Sequence, residues 1–230
     1  MGREAKRLSA IKRTTSQRRA FYKSRLPRSF YARGHTSVAI DLLGKILWCD
    51  SADGFVAVRI VETEAYGGAD DPGSHGFKGM TPRNGTMFGP PGHAYVYFTY
   101  GMHFCLNVVT GREGECSAVL LRAAEPLEGI DIIMRRRRTD DFFNLASGPG
   151  KLAQALGIDR TSDGADLCSS TLGISDDGFT PEAIYRSYRV GLRRDGGHQW
   201  RYCIDKNRFV SRPWPWQQTQ QSRVDCSRAQ

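Results

Sequence analysis

The chain has 230 residues, of which 40% are hydrophobic and 10% aromatic, and it carries a formal net charge of +9 at pH 7. This composition excludes a wholly disordered chain, although the length alone leaves open one large domain or two small ones. No apolar run approaches the roughly 18 residues that a membrane span needs, and no apolar segment follows the amino-terminal charges. We therefore expect neither a membrane helix nor a secretory signal.

Six cysteines lie at positions 49, 105, 116, 168, 203 and 226. They form no Cys-x-x-Cys pair and show no spacing typical of zinc ligands. The pattern favours reduced structural thiols in a cytoplasmic protein over a disulfide framework or a metal site.

The positive charge is concentrated at the amino terminus. Residues 1–28 hold ten lysines and arginines and a single acid, Glu4, whereas the other 202 residues hold 23 basic and 23 acidic side chains. We expect residues 1–25 to form a disordered basic arm suited to a polyanion. A solvated tail or a targeting peptide without a partner fits the charge equally well. The Gln- and Ser-rich residues 211–230 are expected to form a disordered tail.

The hydrophobic pattern predicts the elements of the domain in chain order. Apolar residues at helical spacing predict a helix over Thr36–Leu47, and β-branched residues bounded by glycines predict a strand over Val56–Tyr66. A loop of about 25 residues, dense in Gly, Pro and Asp, follows, and loops of that length tend to be functional or mobile. The elements predicted after it are strands over Tyr95–Thr99 and His103–Thr110 around a turn at residues 100–102, a strand over Ser117–Ala124, a helix over Leu127–Arg138, a helix over Pro149–Leu156 stopped by Gly157, and a helical turn at residues 180–182. We expect one mixed α/β (α+β) domain over residues 26–210.

Two carboxylates stand near the end of the predicted strand that closes at Tyr66. A period of two places Glu62 and Glu64 on the same face as Val58 and Ile60, roughly 6.6 Å apart along the strand. Burial of an unpaired charge on an apolar face is costly. A carboxylate in this arrangement suits the activation of water beside a glycosidic bond. The alternative is that one or both carboxylates are paired with arginines or lie beyond the edge of the sheet.

Aromatic and imidazole side chains are frequent after this strand. The residues are Tyr66, His75, Tyr95, Tyr97, Tyr100 and His103, with Asn107 close behind. Such a group is typical of a hydrophobic core as well as of a slot in which a base stacks. The pattern alone does not decide which face of the strand that carries Tyr95 and Tyr97 meets the core.

Several linked blocks of the sequence are those of one known family. In order they are IVETEAY (60–66), Ser74-His75, TPRN (81–84), MFGPPG (87–92), YVYFTYGM (95–102), Asn107, LLRAAEPL (120–127) and SGPGKL (147–152). On these blocks the chain resembles the alkyladenine (3-methyladenine) DNA glycosylase family in its bacterial form, over residues 26–210. Ile40 and Met80 depart from the family pattern, which commonly has basic residues there.

The resemblance implies a fold and a reaction. The fold is a single compact domain around a curved antiparallel sheet, with a protruding β-hairpin that inserts into DNA. The reaction is that of a monofunctional DNA glycosylase of base excision repair, acting on alkylated or deaminated purines (3-methyladenine, 7-methylguanine or hypoxanthine) in double-stranded DNA. Such an enzyme flips the damaged nucleotide out of the duplex and hydrolyses its N-glycosidic bond. The resemblance further implies a monomer, active at the bacterial nucleoid, with no metal or other cofactor.

Catalytic and pocket roles carry over to the residues that match the family pattern. Glu64 matches the general base that deprotonates the attacking water, and Arg122 matches the arginine beside that water. Tyr66 and Tyr97 match the rings that stack on the extruded base. His75 matches the imidazole that hydrogen-bonds it.

Selectivity and DNA contacts are assigned in the same way. Asn107 matches the residue on the pocket floor that obstructs the exocyclic amine of guanine. Tyr100, with Met102, matches the hairpin tip that fills the gap left by the flipped nucleotide. Arg83 and Lys151 are candidate DNA contacts. Lys151 stands at the glycine-rich start of a helix that could hold a phosphate, and a purely structural role for it is equally open.

Two other classes of protein stay open from the sequence. One is a non-catalytic binder of damaged DNA, which need keep neither Glu64 nor Arg122. The other is a nucleoside or carbohydrate hydrolase that uses Glu62 and Glu64 as a pair. No lysine stands where a Schiff-base mechanism needs one, so we expect hydrolysis without strand cleavage.

Overall fold

The long strand β2 (Gly54–Tyr66) runs through the middle of an antiparallel sheet. One side of β2 pairs with β5 (Ala118–Glu128). Its other side is divided, because β1 (Ile46–Ser51) pairs with the first half of the strand and β8 (Arg201–Ile204) with the second half. The sheet therefore forks along β2, and the segment Glu62–Glu64 lies between β5 and β8.

The computed structural model describes residues 18–192, 196–214 and 222–225. The remaining strands are β3 (Ala94–Thr99), β4 (His103–Val109), β6 (Leu172–Ser175), β7 (Ala183–Ser187) and β9 (Ser222–Asp225). Their order across the sheet is β3-β4-β5-β2-β8-β7-β9, and β6 extends the sheet beyond β1. This mixed α/β domain around a curved antiparallel sheet confirms the predicted fold class.

Four helices cover one face of the sheet: α2 (Arg28–Tyr31), α3 (His35–Asp41), α4 (Ile130–Arg137) and α5 (Pro149–Leu156). The helix α1 (residues 18–23) packs on the other face, where Phe21 meets Trp48 and Phe55. Apolar side chains of α3, α4 and α5, such as Val38, Ile133 and Leu152, share the main core with Val58 of β2 and Leu121 of β5. Within the part of the chain that the structure describes, no helix is long and apolar enough to cross a membrane.

Three register shifts interrupt the pairing of β2 with β5, and the two that bear on the carboxylates lie at Val61 and Arg122. Val61 is an extra residue of β2 between Ile60 and Glu62, and Arg122 is an extra residue of β5 beside the step from Glu62 to Thr63. A bulge inserts one unpaired residue and so inverts the alternation of side chains beyond it.

The prediction that Glu62 and Glu64 share a face with Val58 and Ile60 is wrong, because the bulge at Val61 inverts the alternation of side chains. Val58 and Ile60 belong to the main core, as does Ala65, whose side chain points away from the neighbouring Glu64. Glu62 and Glu64 therefore project from the opposite face of the sheet. The two carboxylates do not share a face with the apolar residues that precede them.

Predicted helix boundaries differ from those of the structure where strand pairing prevails. The helix predicted over Thr36–Leu47 ends at Asp41, because Gly44 turns the chain with a φ of +88° and the next residues pair with β2 as β1. The helix predicted over Leu127–Arg138 starts later, since β5 continues to Glu128. No helical turn forms at residues 180–182, and the chain enters β7 directly.

The domain begins earlier than predicted. Residues 18–25, assigned above to the basic arm, lie against the sheet: the ring of Phe21 stacks on Phe55 with 5.5 Å between centroids. The Phe21 carbonyl also accepts a hydrogen bond from Ser175 Oγ over 2.6 Å. The rest of the predicted arm, residues 1–17, lies outside the described residues.

The domain also continues into the predicted tail. The amide N–H of Ser211 donates to the buried carboxylate of Glu62 over 2.7 Å, and β9 pairs with β7. The Gln- and Ser-rich composition predicts a frayed end here. Part of this segment joins the domain instead, because Ser211 binds the buried Glu62 carboxylate and residues 222–225 pair with the strand β7. Residues 215–221 and 226–230, with Cys226, lie outside the described residues, and the five described cysteines are free thiols.

Candidate active site

Two fully buried carboxylates, Glu62 and Glu64, share one arginine. Arg122 Nε donates to Glu62 Oε1 over 2.8 Å, and Arg122 Nη1 donates to Glu64 Oε2 over 3.2 Å. Arg122 is the extra residue of the bulge on β5, and bulges redirect side chains in this way. The alternative of arginine pairing therefore holds for both carboxylates.

Four hydrogen bonds are donated to Glu62. Its Oε1 accepts from Arg122 Nε, Arg201 Nε and Ser211 Oγ, each over 2.8 Å, and its Oε2 accepts from the Ser211 amide over 2.7 Å. Burial raises the pKa of Glu62, but the two guanidinium groups and Ser211 outweigh that effect and hold the pKa below its ordinary value. Glu62 is therefore an ionised anchor held by four donors, as many as a carboxylate has lone pairs, although three of them share Oε1.

Glu64 keeps an unused acceptor position. Its Oε2 accepts from the Tyr66 hydroxyl over 2.8 Å and from Arg122, and its Oε1 accepts from the amide N–H of Val190 over 2.7 Å. A carboxylate offers about four lone-pair positions, so Glu64 can accept one more hydrogen bond, as a water molecule would donate. The two carboxylates lie on the same strand, but Glu62 accepts four hydrogen bonds and Glu64 accepts three.

An aromatic cavity of about 70 Å³ borders Tyr66, whose hydroxyl reaches Glu64. Its lining residues are Tyr66, Gly73, His75, Met87, Tyr95, Tyr97, Asn107 and Leu192. The rings of His75 and Tyr97 meet edge-on with centroids 4.5 Å apart, and those of Tyr95 and Tyr97 lie 5.5 Å apart. The structure therefore brings the four predicted pocket residues, Tyr66, His75, Tyr97 and Asn107, into one cavity beside the predicted base.

Polar groups of the cavity are fixed by Tyr95. His75 Nδ1 lies 2.9 Å from the Tyr95 hydroxyl, and Asn107 Nδ2 donates to the Tyr95 carbonyl over 3.0 Å. Burial, together with Arg83, lowers the pKa of His75, so its imidazole is neutral at pH 7. Burial raises the pKa of Tyr95 to about 12, so its hydroxyl stays protonated.

The loop that carries His75 is held by the side chain of Asn84. Asn84 Nδ2 donates to the carbonyls of His75 over 2.8 Å and Gly79 over 3.1 Å, and its Oδ1 accepts from the Thr81 amide over 2.6 Å. The TPRN block therefore supplies a buried structural amide to which the sequence analysis assigned no role. Its hydrogen bonds fix the position of His75 in the cavity wall.

The tip of the β3–β4 hairpin is exposed and strained. Tyr100 and Gly101 have φ of +52° and +66°, and the Met102 amide donates to the Thr99 carbonyl over 3.3 Å. A non-glycine residue at positive φ costs on the order of 1 kcal/mol, and such strain clusters at functional sites. Tyr100 and Met102 are nevertheless 83% and 70% exposed, so no burial in the domain offsets that strain.

Both candidate phosphate contacts have partners within the domain. Arg83 Nη2 donates to the Phe98 carbonyl of the hairpin over 3.1 Å. Lys151 Nζ donates to Asn144 Oδ1 and, over 3.4 Å, to Ser147 Oγ. Each side chain therefore has a structural role, and contact with DNA stays a proposal for both.

Sequence analysis missed four residues that build the site. Arg201 and Ser211 complete the partners of the anchoring carboxylate. Asp71 and Arg189 form a buried, bidentate ion pair with two distances of 2.7 Å, and Arg189 Cζ lies 4.7 Å from the centre of the Tyr66 ring. No local pattern marks these residues, because only the pairing of β2 with β8 and the packing of two loops bring them to the site.

Metal-ligand clusters are not found in the described ranges: no three His, Cys, Asp or Glu side chains there are grouped so that they could hold an ion. The carboxylates of Glu62, Glu64 and Asp71 are paired with arginines instead.

Comparison with known proteins agrees with this geometry. The family profile described as "Methylpurine-DNA glycosylase (MPG)" matches residues 29–208. A protein of Streptomyces avermitilis is 48% identical over 194 residues, which cover 81% of this chain and 90% of that protein. Proteins of Burkholderia lata (50% identity, 82% and 91%) and Methanoculleus marisnigri (47% identity, 81% and 98%) match similarly. All three are named "Putative 3-methyladenine DNA glycosylase".

The matched residues include the strand β2, the residues that line the aromatic cavity and the exposed β3–β4 hairpin. The chain therefore belongs to the methylpurine-DNA glycosylase family. It is a DNA N-glycosylase, and its substrate is DNA.

The difference between the two carboxylates predicts different effects on stability. Glu62→Gln leaves Arg201 as a buried, uncompensated cation, and we expect it to lower the free energy of unfolding by about 3 kcal/mol. Glu64→Gln should lower it by less, since Arg122 keeps its bond to Glu62. Urea denaturation of the two variants measures both values, and a larger loss for Glu64→Gln would contradict the assignment of Glu62 as the anchor.

Proposed function

We propose that the protein removes alkylated or deaminated purines, of the 3-methyladenine, 7-methylguanine and hypoxanthine type, from double-stranded DNA. It acts as a monomeric, monofunctional glycosylase and leaves an abasic site. The names of its relatives agree with this substrate class. The observation that carries the proposal is Glu64, a buried carboxylate with an unused acceptor position, hydrogen-bonded to a wall of the aromatic cavity.

Glu64 is the general base of the proposed reaction. A water molecule that donates to the unused position of Glu64 loses its proton to the carboxylate as it attacks the sugar carbon. Arg122 holds Glu64 Oε2 and so orients the carboxylate toward that water. The negative charge of Glu64 also stabilises the oxocarbenium-like transition state of glycosidic bond cleavage.

The cavity selects the base. Tyr66 and Tyr97 stack on it, and electron-rich rings favour a cationic alkylpurine over a neutral base by about 1–2 kcal/mol when desolvated. His75 Nδ1 is occupied by Tyr95, so Nε2 is the ring nitrogen that hydrogen-bonds the base. Asn107, held by the Tyr95 carbonyl, obstructs the exocyclic amine of guanine.

The hairpin opens the duplex. A base cannot react within the stack, and its extrusion costs a few kcal/mol. Tyr100 fills the vacated position, with Met102 beside it in the minor groove, and the restacked neighbours offset part of that cost. Arg83 and Lys151 contact DNA phosphates in addition to their partners in the domain.

The four hydrogen bonds that hold Glu62 argue against the other hydrolase considered above. A nucleoside or carbohydrate hydrolase that uses Glu62 and Glu64 as a pair needs both to reach a reactant. Glu62 is closed off by Arg122, Arg201 and Ser211. A non-catalytic DNA binder would have no use for the remaining acceptor position of Glu64.

Glu64→Gln tests the chemistry. The amide keeps the shape of the side chain and removes the base, so we expect loss of base release with lesion binding retained. The assay incubates duplexes that carry one defined lesion and detects alkali-labile abasic sites. Glu182→Gln, at an exposed glutamate, is the matched control and should stay active. Wild-type activity in Glu64→Gln would show that another group activates the water.

Tyr100→Ala tests the hairpin. Removal of the ring should weaken excision from a paired site more than from a bulge, because extrusion from a bulge is already less costly. Tyr100→Phe keeps the ring and should retain excision at both sites. Single-turnover rates on paired and bulged lesions measure the difference, and an equal loss at both would remove Tyr100 from the flipping step.

Deletion of residues 1–17 tests the arm, and it leaves the packed residues 18–25 in place. The deleted segment holds five lysines and arginines and one acid, Glu4. Each phosphate neutralised contributes about 0.9 to the slope of log affinity against log salt, so an arm that neutralises three phosphates contributes about 2.7. We expect the deletion to flatten the slope by that amount and to leave excision at saturating enzyme unchanged. An unaltered slope would show that the arm is only a solvated tail.

A further inference from the structure

A buried ion pair lies directly behind one wall of the base cavity. Arg189 donates through Nη1 and Nη2 to both oxygens of Asp71, and the two side chains are 0% and 1% exposed. Arg189 Cζ lies 4.7 Å from the centre of the Tyr66 ring. Tyr66 lines the cavity and Arg189 does not, which agrees with a guanidinium on the side of the ring away from the base.

Both members of the pair are ionised. Burial raises the pKa of Asp71, but the bonds from Arg189 and from the amides of Gly67 and Gly73 hold it below its ordinary value. The same carboxylate raises the pKa of Arg189 against the opposing effect of burial. The pair is therefore neutral as a whole, with its positive end toward Tyr66.

The position of the pair matters because of what stacks on the other face of Tyr66. A base in van der Waals contact with the ring lies about 3.5–4 Å from it, and so about 8 Å from the guanidinium carbon. At that distance and an effective dielectric constant near 20, two like charges change an affinity by roughly ten- to thirtyfold. An unneutralised Arg189 would therefore repel a cationic alkylpurine and leave a neutral base almost unaffected.

We propose that Asp71 is a specificity-determining residue, which lets the cavity accept cationic bases by neutralising Arg189 behind Tyr66. The inference rests on the proposed function, since it concerns the charge of the extruded base. Asp71 and Arg189 touch neither the base nor the water; they act through the ring of Tyr66. They also hold two loops together, so a test must separate charge from mechanical support.

The experiment compares two lesions in the same protein. Duplexes with a single 7-methylguanine, which is cationic, or a single hypoxanthine, which is neutral, are excised under single-turnover conditions. The readout is the ratio of the half-saturating enzyme concentrations, 7-methylguanine over hypoxanthine. Any loss of folded protein raises both concentrations equally and cancels in this ratio.

The variants separate charge from support. Asp71→Asn leaves the cation alone behind Tyr66, and we expect the ratio to rise roughly ten- to thirtyfold over wild type. Arg189→Gln leaves the anion alone, and we expect the ratio to fall. The double variant has neither charge, and its ratio should return to that of wild type although both loops have lost their ion pair.

A second ion pair in the chain supplies the control. Asp177 binds Arg59 in the same bidentate manner, and Arg59 lies 4.3 Å from the ring of Phe179, away from the cavity. Asp177→Asn makes the same change of charge, and we expect the ratio to stay at the wild-type value.

The outcomes are distinct. A wild-type ratio in Asp71→Asn, or a double variant whose ratio stays as high as that of Asp71→Asn, would overturn the inference and leave the proposed function standing. If Asp71→Asn does not fold, an unchanged ratio in Arg189→Gln overturns it in the same way. A wild-type protein that releases neither base would overturn the proposed function, and this inference with it.

Discussion

Burial of charge in the middle of a β-sheet is the constraint that organises this domain. Each buried ion costs several kcal/mol unless it is paired and fully hydrogen-bonded. The bulge on β5 brings Arg122 between the two carboxylates, and the fork of the sheet brings β8, with Arg201, beside Glu62. Ser211 closes the last positions from beyond the end of β8. The cluster is neutral, and it leaves a single carboxylate, Glu64, with room for a reactant.

The cavity beside this cluster is preorganised by polar side chains in loops. Asn84 holds the backbone that carries His75, and Asp71 joins that loop to the segment that carries Arg189. The amide of the next residue, Val190, donates to Glu64, so the same segment supports both the Glu64 carboxylate and the ring of Tyr66. Positions held this closely fit catalysis that works by electrostatic preorganisation, because the donors need not reorganise as charge develops.

The cavity and the hairpin tip differ in rigidity and in exposure to solvent. The cavity is enclosed by fixed groups, whereas the hairpin tip presents Tyr100 to solvent at a positive φ. Strain in an exposed aromatic residue is not offset by contacts within the domain. A partner that receives the ring can offset it, and the base stack of DNA is such a partner. In the proposed reaction, the strained tip and the buried carboxylate of Glu64 act on the same DNA substrate.

Periodicity and linked motifs are local properties, so the amino-acid sequence was sufficient to predict the class of fold and the two strands of the hairpin. Through the family resemblance it also marked four of the eight residues that line the cavity. It also marked Glu62 and Glu64 as the unusual pair. Only the folded chain shows that Glu62, and not Glu64, is the anchor. Its partners Arg201 and Ser211 come from segments more than a hundred residues away. The inverted face at Val61 and the strand in place of a helix after Gly44 have the same origin. Strand pairing and the satisfaction of buried charge act between distant segments, and no local pattern in the chain records them.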